Sequence, residues 1–455
     1  MKIGLFFEHQ LPRPWADDSE ATVLANAVEQ CELADRIGIH NTWVVEHHFL
    51  EEYSHSSAPE VFLAAVSQRT KRLRLGHGIV QTPPPFNHPA RVAERVATLD
   101  LLSRGRVDFG TGESSSEAEL GGFGIDPAAK RAMWDEGTRV ALRCMTETPF
   151  TGHAGEYVTM PPRNVVPKPF QKPHPPVWVA CTRRETIHLA AQRGIGALSF
   201  AFFDPEEARH WVDDYYSTLA SEAVPIGDAV NANLACVTTF MCHPDEAEAI
   251  KRGAEGTNFF GYSLAHYYVF GRHRPGVTDV WAEYQQKRAE AGYDPAALGK
   301  TDSLTAKGDG GAGLRGAVGT PDQIRDYLRR YEEYGVDQVI LASQTGNNRH
   351  DDVMESLELF GREVLPEFLE RDEAASDEKA RRLEPVIEKA LARKPPEDHP
   401  PLPDPDYDFP AIPRSMADRE GADGFHAWLD DYARKAAAGE DVSKRLSTPK
   451  RADMP

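Results

Sequence analysis

The sequence predicts an α/β protein: a closed (β/α)8 TIM barrel with an insertion between strand seven and strand eight and a C-terminal extension. Three observations predict it. β-branched and aromatic runs alternate with amphipathic helical stretches from residue 2 onward, which points to βαβ units and a parallel sheet. Eight such units fill residues 1 to about 370, a count that favours a closed barrel over an open sheet. Glu46, His47 and His48 stand where strand two gives way to its loop, the end at which such barrels do chemistry.

The elements follow in order. Lys2–Glu8 reads as strand one, and Glu20–Ile37 as a helix with Val23, Ala27, Cys31 and Ala34 on one face. Strand two is Asn41–His47, followed by a helix over Pro59–Arg69. Strand three is Leu73–Val80, and the helix Pro89–Leu102 ends at Ser103-Arg-Gly105. Strand four is Val107–Thr111, with the helix Ala128–Met145 after it. The Pro-rich stretch Pro161 to Pro176 suits neither element. Strand five is Val177–Cys181 with the helix Glu185–Arg193, and strand six is Ala197–Ala201 with the helix Glu206–Leu219. Strand seven is Ala232–Met241, and Asp245–Gly253 opens another helix. Strand eight is Asp337–Ala342, and Asp352–Leu369 closes the barrel.

The eighth unit is delayed by a lid-like insertion, residues 256–316. It holds the aromatic-rich Asn258–Phe270, a charged helix near Asp279–Ala291, and a run from Gly308 to Gly316 with five glycines in nine residues. That run is either a flexible connection or the hinge of a lid over the barrel mouth. Residues 371–455 form a charged, Pro-rich C-terminal extension holding 15 basic and 19 acidic residues and 11 of the 34 prolines. Short helices are expected near Asp377–Arg393 and Gly424–Ala438, with Pro395–Pro413 as an extended arm. The extension wraps the barrel or a second subunit, or is disordered.

Composition excludes several classes. The 51 basic and 71 acidic residues give a formal charge of −20, which repels nucleic acid and anionic membranes at long range. No run of about 18 apolar residues exists to span a membrane, and the apolar start is too short for a signal peptide. The five scattered cysteines form no CxxC and fit a reducing, cytoplasmic setting.

Four segments carry the chemistry. In Asn41-Thr-Trp-Val-Val-Glu-His-His-Phe49, His47 and His48 are proton-handling candidates beside Glu46. In Leu75-Gly-His-Gly-Ile-Val-Gln-Thr-Pro83, glycines inside a strand permit close approach by a planar cofactor, or mark a bulge needed for closure. Gly105 to Ser116 runs a strand into a turn of small residues, yet matches neither GxGxxG nor GxxxxGK[ST]. Ala180-Cys-Thr-Arg-Arg-Glu-Thr186 sets hydroxyls and guanidinium groups at a helix start suited to a phosphate, with Arg131 able to complete the pocket. No HxH or HExxH supplies metal ligands, so no metal is expected.

Read together, these segments resemble the bacterial luciferase-like flavin-dependent monooxygenase family. The matching pieces are Met1-Lys-Ile-Gly-Leu-Phe6, Val44-Val-Glu-His-His-Phe49, Leu75-Gly-His-Gly-Ile-Val80, His88-Pro-Ala-Arg91, Leu99 to Arg106, Phe123-Gly-Ile-Asp126, Pro176-Val-Trp-Val179 and Val318-Gly-Thr-Pro321, in the family's order. The resemblance implies reduced FMN bound at the C-terminal strand ends, a separate flavin reductase to supply it, and O2 as co-substrate. It implies that His47 assists flavin-oxygen chemistry with His48 close by. It places Arg131, Arg183 and Thr186 at the phosphate, with Arg184 beside them, and Phe6 and Gly112 along the ring. Gly78–Ile79 matches a position where relatives often hold a non-proline cis peptide against the flavin. Three positions depart from the luciferases: Glu113 replaces a phosphate-binding arginine, Gly112 replaces a cysteine, and Pro84–Phe86 look inserted.

The expected activity is oxygenation of a small apolar organic substrate, with Glu46 fixing the tautomer of His47. A homodimer or larger homo-oligomer is expected. Phe200, Phe202, Phe203, Phe259, Phe260, Tyr262, Tyr267 and Tyr268 are candidate lining for an apolar pocket. The alternatives are a deazaflavin-dependent dehydrogenase on the same barrel, a metal-dependent hydrolase using His47, His48 and Asp108, and a non-catalytic partner subunit.

Overall fold

The computed structural model describes residues 1–200, 205–292, 315–396, 400–409 and 423–440, with side chains in the last segment from residue 430. Eight parallel strands close a barrel: β1 (Lys2–Phe7), β2 (Asn41–Val44), β3 (Arg74–His77), β4 (Val107–Gly112), β5 (Val177–Cys181), β6 (Gly196–Ser199), β7 (Leu234–Cys242) and β8 (Gln338–Ala342). Each pairs with the next in chain order, and β8 returns to β1 with Gln338 beside Lys2. Strands buried on both faces read as near-continuous apolar runs, which is why β1 (KIGLFF) and β7 (LACVTTFMC) lack alternation.

Two tryptophans fill the barrel interior. Trp43 and Trp178 meet edge to face with ring centres 5.2 Å apart. Gly76 and Gly196 make the room, because a Cβ on either would run into one of these indoles. The larger core lies outside, where apolar strand faces pack on the surrounding helices. The elements match their sequence expectation except at ends, with four corrections.

Strand two stops at Val44, so Glu46, His47 and His48 lie on the following loop. Strand three breaks after His77, and Val80–Gln81 pairs separately with Thr111 and Gly112 of β4. The break has a steric cause: β4 passes so close that a Cβ on Gly110 would overlap the His77 carbonyl. The Gly78–Ile79 peptide is trans; the cis bonds among the described residues all precede proline.

The closing helix is two helices, His350–Glu363 and Leu365–Arg393. Pro366, which has no N–H to donate, sits in the first turn of the second. That second helix runs through residue 370 and absorbs the helix expected at Asp377–Arg393. Lys379 fastens it to the barrel through Asp337 and Asn233, each at 2.6 Å, and Leu383 and Ala390 are buried. Met1–Pro400 and Pro401–Pro455 are two compact units, the second carrying a helix over Asp423–Ala437.

In the insertion, the helix after β7 runs from Glu246 to Ala265 and continues as a π-helical turn, His266–Phe270. A helix over Val280–Glu290 follows. Its first N–H groups, on Val280 and Trp281, bond to the buried carboxylate of Glu52, which also accepts from Arg13 N. Of the glycine-rich run, all but Arg315 and Gly316 lies outside the described residues. Among the described residues no helix is long and apolar enough to cross a membrane.

Candidate active site

A cavity of about 400 Å3 opens at the C-terminal ends of the strands. Glu8 reaches it from the end of β1, His47 from the loop after β2, Gly78 and Ile79 from the break after β3, and Gly112 to Ser115 from the end of β4. Thr182, Arg183 and Thr186 come from the turn after β5. The insertion supplies Phe260, Leu264, Tyr268 and Val269, and Phe200 joins them. Gly112 is required by space, because a Cβ there would press into the side chain of Ile79.

His47 is held between two carboxylates. Its Nδ1 lies 3.0 Å from Glu119 Oε1, and its Nε2 lies 3.6 Å from Glu8 Oε2. Its backbone N–H donates to the Ser56 carbonyl at 2.8 Å, which fixes the loop. Glu119, from the unpredicted short helix Glu117–Gly122, also accepts from the His48 N–H at 2.9 Å and from Ser114 Oγ at 2.5 Å. Glu8 accepts from Tyr53 OH at 2.8 Å, and the Tyr268 hydroxyl lies 3.5 Å from His47 Nδ1.

Electrostatics follow from this packing. Burial disfavours the imidazolium, but Glu119 and Glu8 outweigh it and hold His47 at about 9. Burial pushes Glu8 up to about 7, with His47 and Tyr53 pulling the other way. Burial would raise Glu119 too, but His47 and the bonds it accepts keep it below the usual carboxylate range.

The second polar cluster is cationic. Arg131 makes two bonds to Glu113, at 2.6 and 2.8 Å, and Lys130 Nζ stands 3.6 Å from the same carboxylate. Arg183 lies beside them with no ion pair among the described residues. One carboxylate therefore faces three cations, and the cluster keeps a positive balance despite Glu113. Thr186 Oγ1 donates to the Arg183 carbonyl at 2.6 Å and caps the start of its helix.

Several expected site residues lie elsewhere. Glu46 does not orient His47: its carboxylate lies 3.1 Å from His48 Nε2 and accepts from Gln81 N and Asn87 Nδ2, each at 2.8 Å. His48 turns away from the cavity into Phe49, Phe86 and Phe123. Phe6 sits behind the wall against Phe200, ring centres 5.3 Å apart. Arg184 is drawn outward onto Asp214. Of the candidate aromatic lining, Phe259 and Tyr262 instead pack on the helix Val280–Glu290, Tyr267 meets His273, and Phe202 and Phe203 lie outside the described residues. The metal-site trio does not assemble, because Asp108 pairs with Arg74 at 2.8 Å in the lower barrel.

The sequence reading missed Glu8, Glu119, Tyr53, Ser114 and Lys130. Glu119 is 72 positions from His47 and no local periodicity links them. The one available signal was a charged residue ending the apolar first strand at Glu8.

Comparison with known proteins accords with this geometry. The family model of luciferase-like monooxygenases matches residues 1–338. The Sinorhizobium fredii protein y4wF is 35% identical over 170 residues, 37% of this chain, and that match spans about half (48%) of the relative's length. The oxygenase component of flavin-dependent trigonelline monooxygenase from Acinetobacter baylyi is 27% identical over 379 residues, covering 81% of this chain and 96% of that protein. The crystal structure of monooxygenase RslO1 from Streptomyces bottropensis superposes with a TM-score of 0.62 at 25% identity, covering 81% of this chain and all (100%) of that one. With three quarters of its length inside the matching family model, the chain belongs to the luciferase-like monooxygenase family.

Proposed function

We propose that the protein is a flavin-dependent monooxygenase that takes reduced FMN from a separate reductase and uses O2 to oxygenate a small apolar organic substrate. The observation that carries this reading is one cavity holding both a clamped imidazole and a cation cluster, in a volume typical of small-molecule sites. The relative described as an oxygenase component supports a two-component system.

The residues fit the cofactor. Gly78 and Gly112 line the cavity with bare backbone, which a planar ring can approach, and Arg183, Arg131 and the neighbouring Lys130 offer charge to a phosphate. When bound, reduced flavin supplies two electrons to O2, one oxygen atom going to the substrate and the other to water. Every other part falls to the chain. His47 carries its proton at neutral pH, so it acts first as a donor. Glu119 fixes the ring through Nδ1, leaving Nε2 as the working atom. Phe200, Phe260 and Leu264 exclude water and favour an apolar substrate.

Anaerobic titration with reduced FMN tests the site, and turnover with a flavin reductase, NADH and oxygen-18 gas over a substrate panel tests the chemistry. Saturable binding, weakened at least about tenfold by Arg183→Ala, and one labelled atom in the product are expected. Reduced deazaflavin binding in place of FMN, with turnover that consumes no O2, overturns the proposal.

A further inference from the structure

One titratable group in the cavity wall has no role in that scheme. Glu8 is buried, and its Oε1 is satisfied by Tyr53 OH at 2.8 Å. Its Oε2 is also buried and has no hydrogen-bond partner. Facing it is His47 Nε2, 3.6 Å away and just outside bonding distance. Among the described residues no lysine or arginine pairs with Glu8. A buried carboxylate oxygen left this way is costly unless a proton or a donor reaches it.

We propose that Glu8 is the proton partner of His47: the Nε2–H bond breaks, an O–H bond forms on Glu8 Oε2, and the reverse step restores the imidazolium. The proposal goes beyond the flavin reading and rests on it only for its catalytic consequence. After the transfer His47 is neutral and keeps Nδ1–H toward Glu119, so the ring needs no reorientation. The wall then stores a proton within one small movement of the working nitrogen. Every ionisable group facing the pair is accounted for. Glu119 holds the far side of the ring, Glu46 acts on it from a greater distance, and burial keeps the Tyr53 and Tyr268 phenols well above their ordinary range. Ser54 Oγ donates to the Glu8 carbonyl. The proton affinities of His47, about 9, and Glu8, about 7, lie about a hundredfold apart. That gap is small enough for a charge change in the cavity to close.

The test uses the full-length, flavin-free protein. The ring nitrogens of His47 are followed by 15N NMR against pH, in wild type and in Glu8→Gln, which keeps the shape and the Tyr53 bond. In wild type two inflections are expected at His47, near pH 7 and near pH 9. In Glu8→Gln the lower one disappears, and the proton affinity of His47 falls about tenfold. Infrared difference spectra of wild type add a check that needs no variant: a protonated-carboxyl stretch lost as pH rises through 7. In turnover with reduced FMN, Glu8→Gln lowers kcat about tenfold or more with KM little changed, and Glu8→Asp restores part of it. One inflection at His47, unchanged in Glu8→Gln, overturns the proposal whether or not flavin binds. Full turnover in Glu8→Gln with an unaltered pH profile overturns the catalytic part.

Discussion

Glu119→Gln removes the charge that contributes most to raising His47 while keeping the size of the side chain and one oxygen to accept from the His48 N–H; its NH2 takes the place of the oxygen that accepts from Ser114 Oγ and can donate to that hydroxyl instead. Two unit charges about 4 Å apart attract by about 4 kcal/mol at an effective dielectric of 20. The lift of His47 from 6.5 to about 9 corresponds to about 3 kcal/mol in total, set by Glu119 ahead of Glu8 against burial. The substitution should therefore remove about 2 kcal/mol of imidazolium stabilisation. His47 binds its proton more tightly folded than unfolded, so its contribution is full below pH 6.5 and is lost as pH rises through 9. Glu8, also raised, loses stability in the same direction, from pH 4.5 through 7. Glu119 is lowered, so its share is present above pH 4.5 and lost on acidification. Urea unfolding at pH 6.5 and pH 10 reads the difference. Wild type should lose stability over that interval, and Glu119→Gln, weaker at pH 6.5, should lose about 2 kcal/mol less. Parallel losses in the two proteins would refute the assignment of Glu119 as the counter-ion of His47.

Two further outcomes are expected. Glu113→Gln releases Arg131 and Lys130 from their counter-ion and should tighten reduced FMN about tenfold at low salt, an advantage that shrinks as salt is added; unchanged affinity in anaerobic titration would separate this cluster from the phosphate. Glu52→Ala leaves three backbone N–H groups without their acceptor and should cost about 3 kcal/mol. Limited proteolysis should then cut first near Val280, and a cleavage pattern like that of wild type would show the helix is held by other contacts.

The strands were legible because barrel strands are buried on both faces and announce themselves as apolar runs, as in Val177–Cys181, read to the residue. The Glu46–His48 segment was legible because charged and imidazole side chains at the end of such a run must face a site or a partner. What failed was the assignment of partners within it. Glu46 and His48 are neighbours of His47 in sequence, but as the strand turns into its loop they face a different group of residues. Arg184 failed for a related reason: adjacent positions at a helix start diverge, and Asp214 on the next helix captured it.

The sequence alone determined the barrel, the order of its units, the family resemblance and the place of His47 at the strand ends, because these rest on local periodicity and on motifs contiguous in the chain. Tertiary structure alone decided which carboxylates grip that imidazole, that Glu113 pairs with Arg131 and Lys130, and that Phe260 and Tyr268 of the insertion line the cavity while Phe259 and Tyr262 do not. Those facts depend on side chains separated by 18 to 221 positions meeting at 2.6 to 3.5 Å. Such encounters are set by barrel closure and packing, and no local pattern of residues encodes them.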